Sequence, residues 1–537
     1  MPKGDYKISD IYSGGYSSIN PEKYGNFTGY RMGAGEMGLT TDPRVANILQ
    51  EFSSKLSTGV KQIEITAGVG DASVFDSIPK QYLKEVERLS KLTGVDVSVH
   101  APIVEPSGFT KQGFSETDRV MTEQSMLHAI ERAHEMNPKG NIPVTFHSSS
   151  GILPEEIQSK IKDVPRESYA VSYDGSQIIR VPLEKSNFPG DEIPDVKKQI
   201  ENTNKSKWGE QIKSLMHATN IGDEALKNYG LLAKMSKGED SSKLFPEQKE
   251  AVNEFNRAST YLEGSYEGLK ELFNLASKTC SENDKKILDN LKKDIEAKAL
   301  KVKENPDKEE SFLIRKEIID TGLDTLKKVS PKLFKPLEDF TTEKSTETFA
   351  NVTLEAYKKF KNNTPIISIE NPPAGASFST GEQLKKLVEE SRKKFVEKAV
   401  KDKILSESEA KKQAEKLIGV TWDVGHINML RKHGYEAKDI VKETEKVAPL
   451  VKHVHLSDNF GFEHTELPMG MGNVPVKEMM EKLGKEGFEG KKIIEAASWW
   501  QHFKSPPVKE SMEAFGSPLY SMNMAPYWNQ SAGFQQN

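Results

Sequence analysis

From Tyr30 onward the chain alternates short apolar, β-rich runs with longer stretches of helical period. The first runs read "YRMGAGE" (30–36), "VKQIEIT" (60–66), "GVDVSVHAP" (94–102) and "NIPVTFHSS" (141–149). After a long interval come "TPIISIEN" (364–371), "IGVTWDVGH" (418–426), "LVKHVHLSD" (450–458) and "KKIIEAAS" (491–498). Between runs, stretches such as "DPRVANILQEFSSKL", "PKQYLKEVERLSKL" and "TEQSMLHAIERAHEM" repeat apolar residues at helical spacing. Apolar strands bounded by polar or glycine residues and alternating with amphipathic helices predict an α/β fold, a parallel (β/α)8 TIM barrel.

The interval between the fourth and fifth runs is too long for one helix. Within it, "ESYAVSYDGSQIIRVPL" predicts a β-hairpin turning at Asp174 and Gly175, and residues 194–330 are charged helix with interleaved Lys and Glu. The stretch "TTEKSTETFANVTLEAYKKF" (341–360) supplies the fourth barrel helix. The insertion therefore occupies the loop after strand four, which rises from the catalytic face of such barrels. The expected organisation is an extended arm over 1–29, a barrel over 30–150 and 341–502, a hairpin plus helical insertion over 151–340, and an aromatic-containing tail over 503–537. The insertion and the tail are candidate surfaces for a protein partner.

Composition narrows the class. A chain of 537 residues exceeds one ordinary core, and 36% hydrophobic with 29% charged residues suits a globular protein with solvated helices. A net charge of −5 supplies no global basic field for nucleic acid. The single Cys280 excludes an intramolecular disulfide framework and a cysteine zinc knuckle, and it fits a reducing compartment. The opening "MPKGDYKISDIYSGGYSS" lacks the apolar stretch of a signal sequence, and no run of about 18 apolar residues occurs. A soluble, cytoplasmic protein with no membrane partner is expected.

Candidate chemistry gathers at the C-terminal ends of the predicted strands. His100 ends strand three and His147 strand four; Glu370 follows strand five, Asp423 with His426 strand six, His455 strand seven and Glu495 strand eight. A closed barrel brings those ends to one mouth, so these imidazoles and carboxylates surround a common point. Mixed nitrogen and oxygen donors without thiolate suit Zn²⁺, Mn²⁺ or Fe²⁺ at a catalytic rather than structural centre. In "VKHVHLSDNFGFEH" (451–464), His453 and His455 lie two apart and so face inward together. The residue nearer the mouth, His455, is the expected ligand, and His453 the deeper, packed one. Asp458 is placed to orient a ligand, and His464 lies in the loop after strand seven.

The pieces "VHAP", "TFHSSSG", "IENPPAG", "WDVGH", "VHLSD", "EHTELPMGMGNV" and "IIEAA" occur in this order along the barrel. Together they resemble the xylose-isomerase-like barrel superfamily and, within it, most closely the endonuclease IV family, whose members bind three zinc ions and cut DNA at abasic sites. The resemblance implies a phosphodiester hydrolase acting in DNA repair. His100 and His147 would hold a first Zn²⁺, Glu370 would bridge it to a second, and Asp423, His455 and Glu495 would complete that second site. A third Zn²⁺ would take His426 and His464, but the aspartate that the family places two residues before this histidine is Phe462 here. Two zinc ions are thus implied, or three if Glu463 or Asp458 substitutes. In this reading Glu370, Glu495 and Asp423 carry the catalysis. The alternative within the superfamily is a sugar isomerase or epimerase, holding one Mn²⁺ or Mg²⁺ through Glu370, Asp423, His455 and Glu495. There the two glutamates move a proton beside a carbonyl, and His426 binds a sugar hydroxyl. A third reading is a metal-binding scaffold without catalysis.

Overall fold

The computed structural model describes residues 28–42, 47–67, 72–153, 159–161, 167–183, 195–235, 244–304, 309–496, 499 and 508–516. Eight parallel strands close a barrel in sequence order: β1 (Met37–Thr40), β2 (Gln62–Thr66), β3 (Asp96–His100), β4 (Pro143–His147), β5 (Ile366–Glu370), β6 (Ile418–Asp423), β7 (Val451–Leu456) and β8 (Lys491–Ile494), with β8 pairing back onto β1. Parallel pairing demands cover on both faces. The outer face is supplied by helices whose apolar sides are buried, among them Phe52, Leu83, Ile130, Phe395, Ile440 and Met479.

Seven of the eight predicted runs overlap their strands. The first does not: residues 30–36 precede β1 and end in a short 3-10 turn, Ala34–Glu36. "YRMGAGE" carries two glycines, which offer a strand nothing to pack. The next four residues bury Met37 and Leu39 completely or nearly so, and they form the strand instead.

The chain divides into two compact units, one of them Ala170–Leu337 and the other the remaining residues. In the inserted unit, long helices (Val196–Met235, Pro246–Thr279, Glu282–Glu304 and Glu309–Leu326) share a core that includes Trp208, Leu262, Leu269, Ile319 and Leu326. The Trp208 indole N–H donates to the Leu326 carbonyl at 3.1 Å. The expected hairpin pairs Glu167–Ser172 with Ile178–Pro182 and turns at Gly175 in the left-handed region (φ 80°). A third strand, Phe334–Pro336, adds antiparallel to the hairpin's first.

The expected N-terminal arm lies outside the described residues except at its last two positions. Of the tail, residues 508–516 are described. They form a short helix, Val508–Ala514, which places Met512 and Phe515 in the barrel's core. The Phe515 carbonyl accepts from the Met32 N–H at 3.2 Å. Among the described residues no helix is long and apolar enough to cross a membrane.

Candidate metal centre

Side chains along a strand alternate in direction, so each barrel strand sends every second residue toward the axis. In six consecutive strands the inward pair consists of polar residues: Glu64 and Thr66, Ser98 and His100, Thr145 and His147, Ser368 and Glu370, Thr421 and Asp423, His453 and His455. Each pair contributes one member to a deep layer and one to the mouth. The deep members bind one another: Thr421 donates to the Ser368 hydroxyl at 2.7 Å and lies 2.9 Å from that of Thr145. On the far side, Glu64 Oε2 accepts from the Ser98 hydroxyl at 2.9 Å and from His453 Nε2 at 2.8 Å.

Glu370 is the hub of the mouth layer and is wholly buried. Its Oε1 lies 2.9 Å from His455 Nδ1, while Oε2 lies 3.3 Å from His100 Nε2 and 3.2 Å from His147 Nε2. Glu495 Oε2 reaches the same His455 Nδ1 at 2.9 Å. Glu370, Asp423, His455 and Glu495 each offer a ligand atom within 4.8 Å of the others, and His100, Glu370 and His455 form a second such group.

Two observations test whether these donors fit a cation. Glu370 Oε2, Asp423 Oδ2 and Glu495 Oε2 are buried oxygens with no hydrogen-bond donor, a costly state for three neighbouring carboxylates. A divalent ion satisfies all three. The second observation concerns the imidazole tautomers. His100 Nδ1 faces the Ala101 carbonyl at 3.0 Å and must donate there. Its Nε2 then presents a lone pair to the Glu370 carboxylate, an arrangement that needs a proton or a metal between the two. The donor set therefore fits a cation.

The electrostatics agree. Burial alone would raise Glu370, but the imidazoles of His455, His147 and His100 hold it well below the usual carboxylate range. Asp423 goes the other way, pushed well up by burial and by the Glu495 and Glu370 charges. Burial would lower His100, yet Glu370 and Glu495 carry it up to about 9. His455 is likewise raised well above its ordinary value against burial, by Glu370, Glu64 and Glu495. Opposed shifts in one buried cluster mark groups that share protons or a cation.

Residues around the centre fix its geometry. Asp423 caps the short helix Val424–Asn428: its Oδ1 accepts the His426 N–H at 2.7 Å, leaving Oδ2 for the centre. Asn371 clasps the end of β6 by accepting the Asp423 N–H at 2.9 Å and donating to the Asp423 carbonyl at 3.0 Å. Gly425 sits so close to β7 that an added Cβ would lie 2.1 Å from Ser457 Oγ, which explains the glycine in "WDVGH". The serines after His147 turn on buried Glu105, which accepts from the hydroxyls of Ser149 and Ser150, each at 2.9 Å.

His426 and His464 meet at one side of the mouth, with Nε2 atoms 2.8 Å apart. His426 Nδ1 faces the Asn371 carbonyl at 2.8 Å and donates to it, so its Nε2 carries the lone pair. Burial, then His464, pushes His426 down to about 3, and burial also lowers His464. Neither expected substitute carboxylate joins this pair. Glu463 is exposed, and Asp458 accepts backbone N–H groups of Asn459, Gly470 and Val474 at 2.9, 2.9 and 3.1 Å. Asp458 thus shapes the loop rather than orienting a ligand. Phe462 points away, 67% exposed. The carboxylate that approaches is Glu466, 3.3 Å from His464 Nε2, on a backbone with φ 44°.

Of the sequence-predicted residues, Glu370, Asp423, His455 and Glu495 thus come together, His100 and His147 reach the Oε2 of Glu370, and His426 and His464 meet beside them. Sequence reasoning missed Glu64, Glu105, Asn371 and Glu466. A cavity of about 430 Å³ opens over the centre, lined by Thr66, His100, His147, His426, His464 and Glu495 among others.

Residues 403–516 match a family model described as xylose isomerase-like TIM barrel. A stretch of 99 residues is 33% identical to an uncharacterized protein of Methanocaldococcus jannaschii, covering 18% of this chain and 32% of that protein. The chain thus spans about a third of the length of the curated relative it matches. Among solved structures, a D-tagatose 3-epimerase-like protein is 15% identical with a TM-score of 0.38, over 91% of this chain and 98% of the other. A 3-keto-D-glucoside 4-epimerase from E. coli is 11% identical with a TM-score of 0.38, over 89% and 97%. A D-psicose 3-epimerase from Clostridium cellulolyticum H10 is 9% identical with a TM-score of 0.39, over 92% and 98%. Such low identities and scores say nothing about the reaction. The closed eight-stranded barrel therefore carries, over residues 403–516 and its last three strands, the signature of the xylose isomerase-like TIM barrels.

Proposed function

We propose that the chain is a metal-dependent isomerase or epimerase of a small hydroxylated carbonyl compound. One observation carries the reading: the carboxylates of wholly buried Glu370 and partly buried Glu495 approach the same His455 Nδ1 at 2.9 Å under a cavity that, among the described residues, is lined by no lysine or arginine. Paired carboxylates suit removal of a proton from carbon and its return at another position or face. A lining of imidazole and hydroxyl groups suits a neutral polyol, whereas a nucleic-acid backbone calls for cationic side chains. The endonuclease expectation left a third cation open, and the loop that should supply its aspartate presents exposed Phe462 instead.

Glu370, Asp423, His455 through Nδ1 and Glu495 would hold the cation, which when bound supplies the positive charge that polarises a carbonyl oxygen. The imidazoles around Glu370 keep its carboxylate ionised despite burial and so able to accept a proton. His455 does the same for Glu495, whose value also falls against the effect of burial. His426, held by Asn371, turns its Nε2 lone pair to His464 Nε2 at 2.8 Å, and a substrate hydroxyl entering the cavity would take the place of His464 on it.

A second reading rests on a different observation. Glu370 presents each oxygen to a different donor set, Oε1 to His455 and Oε2 to His100 and His147. A carboxylate placed this way can bridge two cations about 3.5–4 Å apart, the arrangement that hydrolyses phosphate esters. The chain loaded with Mn²⁺ is to be incubated in D2O with a panel of D-ketohexoses, and separately with bis(p-nitrophenyl) phosphate. Deuterium entering the sugar next to its carbonyl, and lost in Glu495→Gln, supports the isomerase. Cleavage of the phosphodiester with no deuterium uptake overturns it in favour of the hydrolase.

A further inference from the structure

We propose that Glu64, in the middle of β2, is a positioning residue that sets the ring of His455 so that Nδ1 faces the cation. This rests on the metal centre described above. Glu64 is wholly buried, and its Oε2 is taken by the Ser98 hydroxyl at 2.9 Å and by His453 Nε2 at 2.8 Å. Two partners on one oxygen fix the rotation of the carboxylate. The other oxygen, Oε1, then stands 3.0 Å from His455 Nε2, close but without the alignment of a full hydrogen bond.

His455 is therefore gripped at both ends. Nε2 faces the Glu64 carboxylate, and Nδ1 faces Glu370 and Glu495, each at 2.9 Å. A neutral imidazole carries one proton, and a carboxylate only accepts. With the proton on Nε2, directed at Glu64, the lone pair lies on Nδ1, where the other ligands converge. A metal-bound histidine is commonly held in this way by a carboxylate on its other nitrogen. The same arrangement gives His453 its place: it braces Glu64 from below while lying away from the convergence of Glu370, Asp423 and Glu495. Glu64, His453 and His455 are themselves grouped closely enough to hold a cation. Glu64 Oε2 and His453 Nε2 already satisfy each other, however, which favours a bracing role over a second ion.

The test uses the full-length chain with Mn²⁺ and, separately, Zn²⁺ titrated against a chromophoric chelator. Glu64→Ala, Glu64→Gln and wild type are compared, and a melting curve is recorded for each. Glu64→Ala is expected to bind the same number of ions roughly 10- to 100-fold more weakly, the usual loss when such a carboxylate partner is removed. Glu64→Gln keeps an acceptor oxygen and is expected to recover most of the affinity. If the alanine variant does not fold, Glu64→Leu, which fills the space without an acceptor, takes its place with the same weakening expected. Wild-type affinity in both variants, with wild type itself binding metal, overturns the role of Glu64 and leaves the centre standing. A stoichiometry reduced by one ion makes Glu64 a ligand and overturns it as well. No binding by wild type at all removes the centre and Glu64's role together.

Discussion

Replacing Asp458 is expected to open the loop that carries His464. The side chain closes no ion pair in the described structure. It gathers backbone instead, with Oδ1 accepting the N–H groups of Asn459 and Val474 at 2.9 and 3.1 Å, and Oδ2 that of Gly470 at 2.9 Å. Its own backbone pairs both ways with Leu467 at 2.8 Å. Gly472 approaches so closely that an added Cβ would meet Asp458 Oδ1 at 2.3 Å. A hydrogen bond to a charged acceptor contributes about 1.5–3 kcal/mol. Losing all of them in Asp458→Ala would cost several kcal/mol if the freed donors stayed dry. Water can reach part of this loop, so a loss of about 3–5 kcal/mol is expected. Asp458→Asn keeps one oxygen for two of the donors and sets an amide N–H₂ against the third, which predicts about 1–3 kcal/mol. Hydrogen exchange at the Gly470 and Val474 amides, with urea unfolding of the barrel, reads both numbers. Exchange and unfolding unchanged in Asp458→Ala would refute the reasoning, and equal losses in both variants would refute the assignment of oxygens.

Other outcomes follow from the same geometry. Glu370→Gln is expected to bind divalent metal at least 100-fold more weakly while the barrel stays folded, since a direct ligand should matter more than the partners of ligands; chelator competition and circular dichroism check both. In His147→Ala a one-cation centre keeps its full metal content, whereas a bridged pair loses an ion, and metal analysis of the purified variant tells them apart. Lys491 sits at the end of the barrel opposite the mouth with its ammonium 2.8 Å from the Val97 carbonyl, and burial lowers its pKa to about 8 from the usual 10.5. A folded-state pKa below the unfolded one means the cost of the buried charge is present in full below pH 8 and is relieved as pH rises toward 10.5. Lys491→Met is therefore expected to be more stable than wild type at pH 7 by about 1–3 kcal/mol, an advantage that fades between pH 8 and pH 10.5 in denaturant titrations. A constant difference across that range would contradict it.

The barrel was legible because a parallel sheet covered on both faces leaves apolar runs of strand length, and because helices between them keep their own period. The ligands were legible because each closes such a run. Glu64 was not, yet "QIEIT" carried the same signal as "SVH" or "SIE": an inward polar residue between outward aliphatic ones. Taking only the last polar residue of each strand discards the layer beneath the mouth. Glu105 and Asn371 had no local signal, since their partners are the loop after β4 and the end of β6, which only the closed barrel brings near. Glu466 stayed hidden for a related reason. The loop "NFGFEHTELPMG" shows no periodicity, and its left-handed turn at Glu466, which brings that carboxylate to His464, is set by the Asp458 and Leu467 pairing. The misplaced first strand is of another kind, glycines mistaken for a β-run.

The central claim is that Glu370, Asp423, His455 and Glu495 hold a divalent cation. The direct measurement is metal content per chain after equilibrium dialysis of the full-length protein against micromolar Mn²⁺ or Zn²⁺, alongside Asp423→Asn. At least one ion per chain in wild type and less than half of that in the variant is the expected result. Wild type with no metal above the dialysis background, or Asp423→Asn with the full wild-type complement, would contradict the claim.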